Sequence, residues 1–316
     1  MQLMVFGCGG VGGYMSARLG SRLGTPGYPL TALNIVARGK HLDAIRNHGL
    51  TYVDPYGNET TVHPTAAVAD ARALPPPEFV LLCVKGYDLE AAVAQLAEHL
   101  PVGTPILPLL NGADIDERVR AGLQGRVVVL PGAIYISAFV ERPGRVRHAG
   151  GPGSLVLGSS PDNPDLQPHK FLQACEIAGV PADWRADPAP AIWEKYLFIA
   201  PFSLVTAVHD APIGAVLEDE TLRADVRAIV AETAEIARRK GVNLPDEIVE
   251  LILEKASGFP AGMTTSFQRD IAAGSPRDER DIFAGTIIRH GRQLGVATPV
   301  ADRYVSRLPG GLEAAR

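Results

Sequence analysis

The chain has 316 residues, 46% of them apolar and 21% charged, a composition typical of a soluble globular protein with one large or two ordinary domains. A formal net charge of -5 without a basic block argues against nucleic acid as a main partner, since phosphate binding needs clustered Lys and Arg. Three well-separated cysteines and eight histidines show no metal-ligand or disulfide spacing, so we expect no metal site and a reducing cytoplasm. Because no charged leader and no 18-residue apolar run is evident, we expect neither export nor a membrane span.

The first elements predict a dinucleotide site. A strand candidate, Leu3 to Phe6, runs into a G-x-G-x-x-G and then into a helix predicted over Tyr14 to Leu23. In this order the first glycine permits a tight turn, the second admits a pyrophosphate, and the third lets helix and strand pack closely. A glycine-rich turn without a ligand is the alternative. The candidate cofactor residues here are Gly7, Cys8, Gly9, Gly10, Val11 and Gly12.

The second predicted strand, Ala32 to Ala37, is followed by basic residues. In NAD-binding domains this strand usually ends in Asp or Glu, which binds the ribose hydroxyls. Here Arg38 and Lys40 follow instead, and both could bind a 2′-phosphate, which favours NADP(H) over NAD(H). The alternative is a solvated pair of charges in a loop.

Two later strand candidates also end in polar residues. The continuous apolar run Phe79 to Val84 is typical of a central parallel strand and is followed by Lys85. A further strand, Pro105 to Leu110, is followed by Asn111. Ligands bind beyond the carboxyl ends of parallel strands, so both polar residues are candidates for cofactor binding. A surface lysine and a turn asparagine are the alternatives.

The remaining patterns divide the chain. A hairpin is predicted over Thr51 to His63. Two short strands around a glycine-rich turn are predicted over Gly144 to Gly158, and His148 in this stretch is expected to have a structural role. After Asp183 to Pro190 strand patterns give way to helical ones, which places a domain boundary after residue 186. Helices are predicted over residues 219–240, 245–257, 265–273 and 279–294.

One lysine stands in an apolar helical run. Thirteen of the fifteen residues from Trp193 to Ala207 carry no formal charge, so this segment is expected to be buried, and Lys195 lies near its start. Desolvation lowers a lysine pKa and can produce a proton donor near neutral pH. The alternative is a lysine whose stem packs on the helix while its ammonium reaches solvent.

Taken in order, these motifs resemble the ketopantoate reductase (2-dehydropantoate 2-reductase) family over nearly the whole chain. The resemblance rests on G-C-G-G-V-G, V-K-G-Y-D, N-G, G-R-V-R-H-A-G-G-P-G, W-E-K, and T-S-F-Q-R-D-I-A-A-G-S-P-R-D-E-R-D followed by L-G-V-A-T-P. It implies an α/β fold with an N-terminal Rossmann-type NADP-binding domain, residues 1–186, and an all-helical substrate and dimerisation domain, residues 187–316. It also implies a homodimer that uses NADPH to reduce a 2-oxo acid to the 2-hydroxy acid, above all ketopantoate to pantoate in pantothenate biosynthesis.

The resemblance also assigns site residues. The catalytic lysine of the family falls on Lys195, the serine that holds the substrate carboxylate on Ser266, and the cofactor-side asparagine on Asn111. The late glutamate falls on Glu279 or, in a second alignment, on Asp278, because the chain has one residue more than the usual pattern here. We prefer Glu279, which keeps the residue type. A favourable charge near a helix N-terminus is the alternative for Glu279, and a helix cap is the alternative for Ser266.

Two positions depart from the family pattern. Four and eight residues after the lysine, well-known members carry asparagines that contact the substrate, whereas this chain has Ile199 and Ser203. Ser203 remains a candidate substrate residue, but Ile199 cannot form a hydrogen bond. The departure leaves open a reductase of the same fold that acts on a different 2-oxo acid. A non-catalytic NADP-binding sensor is the alternative of another class.

Overall fold

In a computed structural model, which describes residues 1–312, the chain divides into two compact units. The first consists of Met1–Leu110 and Ile115–Pro188. The second consists of Asn111–Asp114 and the chain from Ala189 onward. The segment Asn111–Asp114 therefore belongs to the second unit, although the residues on either side of it in the chain belong to the first. No pattern in the sequence predicted this.

The first unit contains both strands and helices. Its strands are β1 (Gln2–Phe6), β2 (Ala32–Val36), β3 (Leu50–Val53), β4 (Glu59–Val62), β5 (Ala66–Val68), β6 (Phe79–Leu82), β7 (Pro105–Pro108), β8 (Val128–Val129), β9 (Gly132–Arg142), β10 (Arg145–Gly158) and β11 (Ala182–Arg185). Its helices are α1 (Gly10–Gly20), α2 (Gly39–His48), α3 (Leu89–His99), α4 (Ile115–Leu123) and α5 (His169–Ile177).

The main sheet has the strand order of a doubly wound dinucleotide-binding fold. Six parallel strands follow the order β5-β2-β1-β6-β7-β8, which reverses direction between β1 and β6. The central strands are buried on both faces, as their continuous apolar runs predict. The α/β fold class inferred from the sequence is confirmed.

The second sheet corrects one sequence prediction. Residues 144–158 do not form two short strands; β10 is a single strand that pairs antiparallel with β9, and β9 was not predicted. Register shifts on both sides of Gly150 break the period of two that identifies a strand in a sequence. His148 stabilises this irregular stretch, because its Nδ1 lies 2.9 Å from Tyr52 Oη and its Nε2 lies 2.9 Å from Gly151 O.

The second unit is helical, as the resemblance implies. Its helices are α6 (Ala189–His209), α7 (Ile213–Glu218), α8 (Glu220–Arg239), α9 (Ile248–Ser257), α10 (Ser266–Ala272), α11 (Thr286–Leu294) and α12 (Pro299–Arg307). The helix predicted over 279–294 is present, but it begins with a π-helical segment, Asp281–Gly285, that continues directly into α11. The helix predicted from 245 begins only at Ile248.

Helix α6 is the buried apolar run that the sequence indicated. By length and composition alone it could cross a membrane, so the expectation that no such run exists was wrong. However, 61% of its apolar window is buried inside the structure, as expected of a core helix. Because α6 is largely buried, Lys195 is a charged residue on a helix of the core.

Candidate active site

The glycine turn between β1 and α1 has one open side. Gly7 has φ of +97°, a left-handed conformation that favours glycine, and a Cβ added at Gly12 would lie 1.9 Å from Gly7 O. A Cβ at Gly9, in contrast, would meet no atom within 4 Å. The first and third glycines are therefore needed by the fold itself, while the second leaves the backbone open to a ligand at the N-terminus of α1. This geometry fits a pyrophosphate.

A cavity of about 370 Å³ lies at the carboxyl ends of β1, β2 and β6, where the strand order reverses. Ligands of doubly wound sheets bind at this switch point. Of the predicted cofactor residues, Gly7, Cys8, Gly9, Arg38 and Lys85 line the cavity, while Gly10, Val11, Gly12, Lys40 and Asn111 lie outside its lining. The structure thus assembles part of the glycine turn with Arg38 and Lys85 in one recess.

Arg38 forms an ion pair with Asp88, which also lines the cavity. The Arg38 side chain is 72% exposed and that of Asp88 only 13%. An exposed guanidinium can leave such a pair for a phosphate at little cost. Lys40 is exposed on the first turn of α2, away from the lining. The sequence prediction missed Asp88, although the V-K-G-Y-D motif contains it.

The cavity offers no thiolate. Burial raises the pKa of Cys8 to about 12 and raises the pKa of Cys83 still further. Both thiols are therefore neutral near pH 7, and nucleophilic catalysis by cysteine is not available here. The recess is suited to binding rather than to covalent chemistry.

Within the second unit, Lys195 and Asn111 form a polar pair. Lys195 Nζ donates a hydrogen bond of 3.0 Å to Asn111 Oδ1. Withdrawal of the ammonium from water lowers the Lys195 pKa to about 8, and the negative charge of Glu279 limits this fall. A lysine with such a pKa can give up its proton near neutral pH. The helix predicted from sequence therefore carries a perturbed lysine, and not one that simply extends into solvent.

Two adjacent buried acids differ in their partners. Asp278 and Glu279 are each 4% exposed. Asp278 accepts hydrogen bonds of 2.8 and 2.6 Å from the guanidinium of Arg280, whereas the charge of Glu279 acts on Lys195. The carboxylate associated with the lysine is therefore Glu279, and Asp278 neutralises Arg280.

The π-helical segment after Glu279 is held by a residue of α6. Tyr196 Oη donates hydrogen bonds of 2.8 Å to Ile282 O and 3.2 Å to Phe283 O. A π turn contains one residue more than an α turn and often marks a functional site. The sequence did not indicate this role of Tyr196.

Helical spacing places both departures from the family pattern on the lysine's side of α6. Ile199 and Ser203 follow Lys195 at intervals of four residues, so all three share one face of the helix. Ile199 is half-buried and Ser203 is 2% exposed. This face therefore carries an aliphatic side chain one helical turn after Lys195.

Ser266 does not cap its helix. Thr265 is the N-cap of α10, and its hydroxyl accepts a hydrogen bond of 3.1 Å from Gln268 N. Ser266, the first residue of α10, is half-buried, and its hydroxyl forms no hydrogen bond within residues 1–312. The hydroxyl is therefore available to a ligand. No hydrogen bond within that described range joins Ser266 or Ser203 to Lys195.

Comparison with known proteins gives consistent matches over both units. The family model described as ketopantoate reductase PanE/ApbA matches residues 3–162, and that of its C-terminal domain matches residues 187–308. The 2-dehydropantoate 2-reductase of Mesorhizobium japonicum is 27% identical, with 97% of this chain and 96% of that protein aligned.

Two solved structures extend the comparison. The crystal structure of 2-dehydropantoate 2-reductase from Porphyromonas gingivalis W83 has a TM-score of 0.79 at 30% identity and covers 98% of this chain and 99% of its own. D-mandelate dehydrogenase, solved with NADH and anilino(oxo)acetate, has a TM-score of 0.82 and covers 100% and 99%. At 21% identity, that second likeness is one of fold.

Proposed function

Because the chain belongs to the ketopantoate reductase family, a family of nicotinamide-dependent oxidoreductases, we propose that it reduces a 2-oxo acid with NADPH, most closely 2-dehydropantoate to pantoate. The observation that carries the proposal is Lys195, with its pKa of about 8 and its bond to Asn111. A protein that only sensed the cofactor would need the glycine turn but not this proton donor.

The chemistry requires a cation at the carbonyl oxygen. When bound, NADPH supplies the hydride that adds to C2 of the 2-oxo acid. The Lys195 ammonium stabilises the negative charge that develops on the carbonyl oxygen and donates its proton from Nζ to that oxygen. Asn111 Oδ1 orients the ammonium by accepting one of its protons, and Glu279 keeps the lysine mostly protonated at neutral pH. Lys195 then regains a proton from water.

The substrate carboxylate is assigned to Ser266, whose hydroxyl has no partner within residues 1–312 and points to no capping role. Ser203, on the lysine-bearing face of α6, is assigned to a hydroxyl or carbonyl of the substrate. Both assignments follow the family pattern. Ser203 lies on the lysine-bearing face of α6 and Ser266 lies at the start of α10, and these positions support the assignments.

The cofactor is proposed to be NADP(H), since Arg38 in the cavity wall is the group suited to a 2′-phosphate. Lys85 and the open backbone at Gly9 are assigned to the pyrophosphate. A homodimer in a reducing cytoplasm completes the proposal; the three cysteines are buried free thiols, which suits that compartment.

Ile199 favours a second candidate, the reduction of a 2-oxo acid without a hydroxyl on its side chain. An aliphatic residue cannot satisfy a buried substrate hydroxyl, and an unsatisfied hydroxyl lowers affinity. A 2-oxo acid with an apolar side chain would suffer no such loss beside Ile199.

The experiment is NADPH oxidation with a panel of 2-oxo acids that includes a matched pair. Ketopantoate and 3,3-dimethyl-2-oxobutanoate differ only in the 4-hydroxyl, so their ratio of kcat/KM measures what the protein does with that group. A higher value for ketopantoate supports the first candidate, and a higher value for the other acid supports the second. Ile199→Asn should shift the ratio towards ketopantoate. If NADPH binds and none of the acids is reduced, the reductase proposal is wrong.

A further inference from the structure

A buried acid in the second unit has no part in the proposed chemistry. Asp114 is 4% exposed and ends the four-residue segment that begins at Asn111. Its Oδ1 accepts a hydrogen bond of 3.1 Å from Thr286 Oγ1, and its Oδ2 lies 3.3 Å from Arg289 Nη2. His290 Nε2 lies 3.8 Å from the same Oδ2. All three neighbours are residues of α11, so the carboxylate fastens the segment to that helix.

Asp114 also lies close to α6, the helix that carries Lys195. Tyr196 directly follows Lys195, and its hydroxyl bonds the carbonyls of the π-helical segment just before α11. Burial raises the pKa of Tyr196 well above its usual value, and the negative charge of Asp114 adds to this effect. Asp114 therefore lies near Tyr196 of α6 as well as against α11.

The segment needs such an anchor. Gly112 lies between Asn111 and Asp114 and has φ of +125°, a conformation that few residues other than glycine adopt. Glycine loses more conformational freedom on ordering than any other residue, so holding this segment in one conformation is entropically costly. A carboxylate is unfavourable in a buried place unless its oxygens are paired, and the partners on α11 confine Asp114 to one position.

We propose that Asp114 is a positioning residue that anchors the Asn111–Asp114 segment to α11 and thereby holds Asn111 Oδ1 on the ammonium of Lys195. The inference rests on the proposed function, in which Lys195 donates the proton. Asp114 acts only through Asn111; it touches neither substrate nor cofactor. Within the second unit its charge is partly offset by Arg289, which also pairs with Asp281.

The experiment is a double-mutant cycle with Asp114→Asn, Asn111→Ala and the two combined. Asp114→Asn alone should lower kcat about tenfold, because a small displacement of a catalytic group is costly, while the Kd for NADPH stays within about twofold. In the Asn111→Ala background the same change should lower kcat by less than about twofold, since the residue through which it acts is gone. Thr286→Val, which removes the hydrogen bond to Oδ1 together with the contacts of the same hydroxyl to Arg289 Nη2 and Asp281 O, serves if Asp114→Asn fails to fold.

A matched control is available in the same unit. Asp225 also pairs with an arginine, Arg303, and accepts a hydrogen bond of 2.8 Å from Tyr304 Oη. Asp225→Asn should leave kcat within about twofold of the wild type. Equal losses in the two Asp variants, or equal effects of Asp114→Asn with and without Asn111, would overturn the inference.

A second readout does not depend on the substrate. The pH dependence of acylation of the Lys195 amine, followed by mass spectrometry, gives its pKa directly. Losing the acceptor Asn111 Oδ1 disfavours the charged amine, so Asp114→Asn should lower this pKa, with no further change in the Asn111→Ala background. A lowering of equal size in both backgrounds would mean a direct charge effect and overturn the inference. If the wild type reduces no 2-oxo acid, the proposed function fails, while this readout still decides the role of Asp114.

Discussion

Replacing Lys195 with Met should stabilise the protein at neutral pH even though it removes the proposed proton donor. A pKa lowered from 10.5 to about 8 corresponds to about 3 kcal/mol of unfavourable free energy, which the folded state carries while the lysine is charged. Met has nearly the same volume and no charge, so the variant escapes this cost. Glu279 loses a positive neighbour and Asn111 Oδ1 loses its donor, so we expect a net gain of about 1 to 2 kcal/mol.

The gain should depend on pH in a defined way. Below pH 8 the lysine is protonated in both states, and the folded wild type carries the whole cost. Between about 8 and 10.5 the folded chain has released the proton that the unfolded chain still holds, so wild-type stability rises with pH. Above pH 10.5 the lysine is neutral in both states and the cost is gone. The advantage of Lys195→Met should therefore be largest below pH 8 and disappear above 10.5.

Urea unfolding at pH 7 and pH 10.5 tests this difference. It is followed by the fluorescence of Trp184 and Trp193, the second of which lies two residues from the substituted position. Lys255→Met is the control, because Lys255 is a 40% exposed lysine paired with Glu194 and its removal should change stability little. A Lys195→Met protein less stable than the wild type at pH 7 would refute the reasoning. So would an advantage that persists unchanged at pH 10.5.

Three further predictions concern the two sites. Gly9→Ala should fold with normal stability but bind NADPH poorly, because its Cβ meets no protein atom and would occupy the space of the pyrophosphate. Gly12→Ala should lower the thermal unfolding temperature, because its Cβ would lie 1.9 Å from Gly7 O. Equal unfolding temperatures for the two variants would contradict this. Replacing Arg38 with Gln should raise KM for NADPH about tenfold or more with little change for NADH, and equal losses would speak against a 2′-phosphate contact. In pH-rate profiles of reduction, kcat should fall as pH rises through about 8, because the donor must be protonated, and Glu279→Gln should move this fall to lower pH, since the charge that raises the Lys195 pKa is removed. An unmoved profile would contradict the role of Glu279.

The parts of the fold that the sequence predicted were those with a local signal. Short apolar runs separated by helical patterns indicated the parallel sheet, and the glycine turn was located at the right strand. The paired strands β9 and β10 were missed because register shifts around Gly150 interrupt the alternation that marks a strand. A bulge is stabilised by cross-strand neighbours, which a local pattern does not contain.

The sequence pointed to candidate site residues but not to the residues that hold them in place. Lys195 and Glu279 were proposed because a single lysine in an apolar run and a family motif are both visible in the sequence. The position of Asn111 beside Lys195 was not predicted, because it depends on the hydrogen bond between Asp114 and Thr286, which are 172 residues apart in the chain. The choice between Asp278 and Glu279 likewise depended on which acid Arg280 neutralises, and that is a property of packing.

Turnover of Lys195→Met, measured as NADPH oxidation with the best 2-oxo acid of the panel, tests the central claim most directly. The variant keeps the glycine turn and Arg38, so the Kd for NADPH should stay close to that of the wild type. Reduction should fall by about two to four orders of magnitude, the usual contribution of a general acid, because the developing alkoxide loses both its cation and its proton source. A folded variant that binds NADPH and still reduces the acid at nearly the wild-type rate would contradict the assignment of Lys195 as the proton donor.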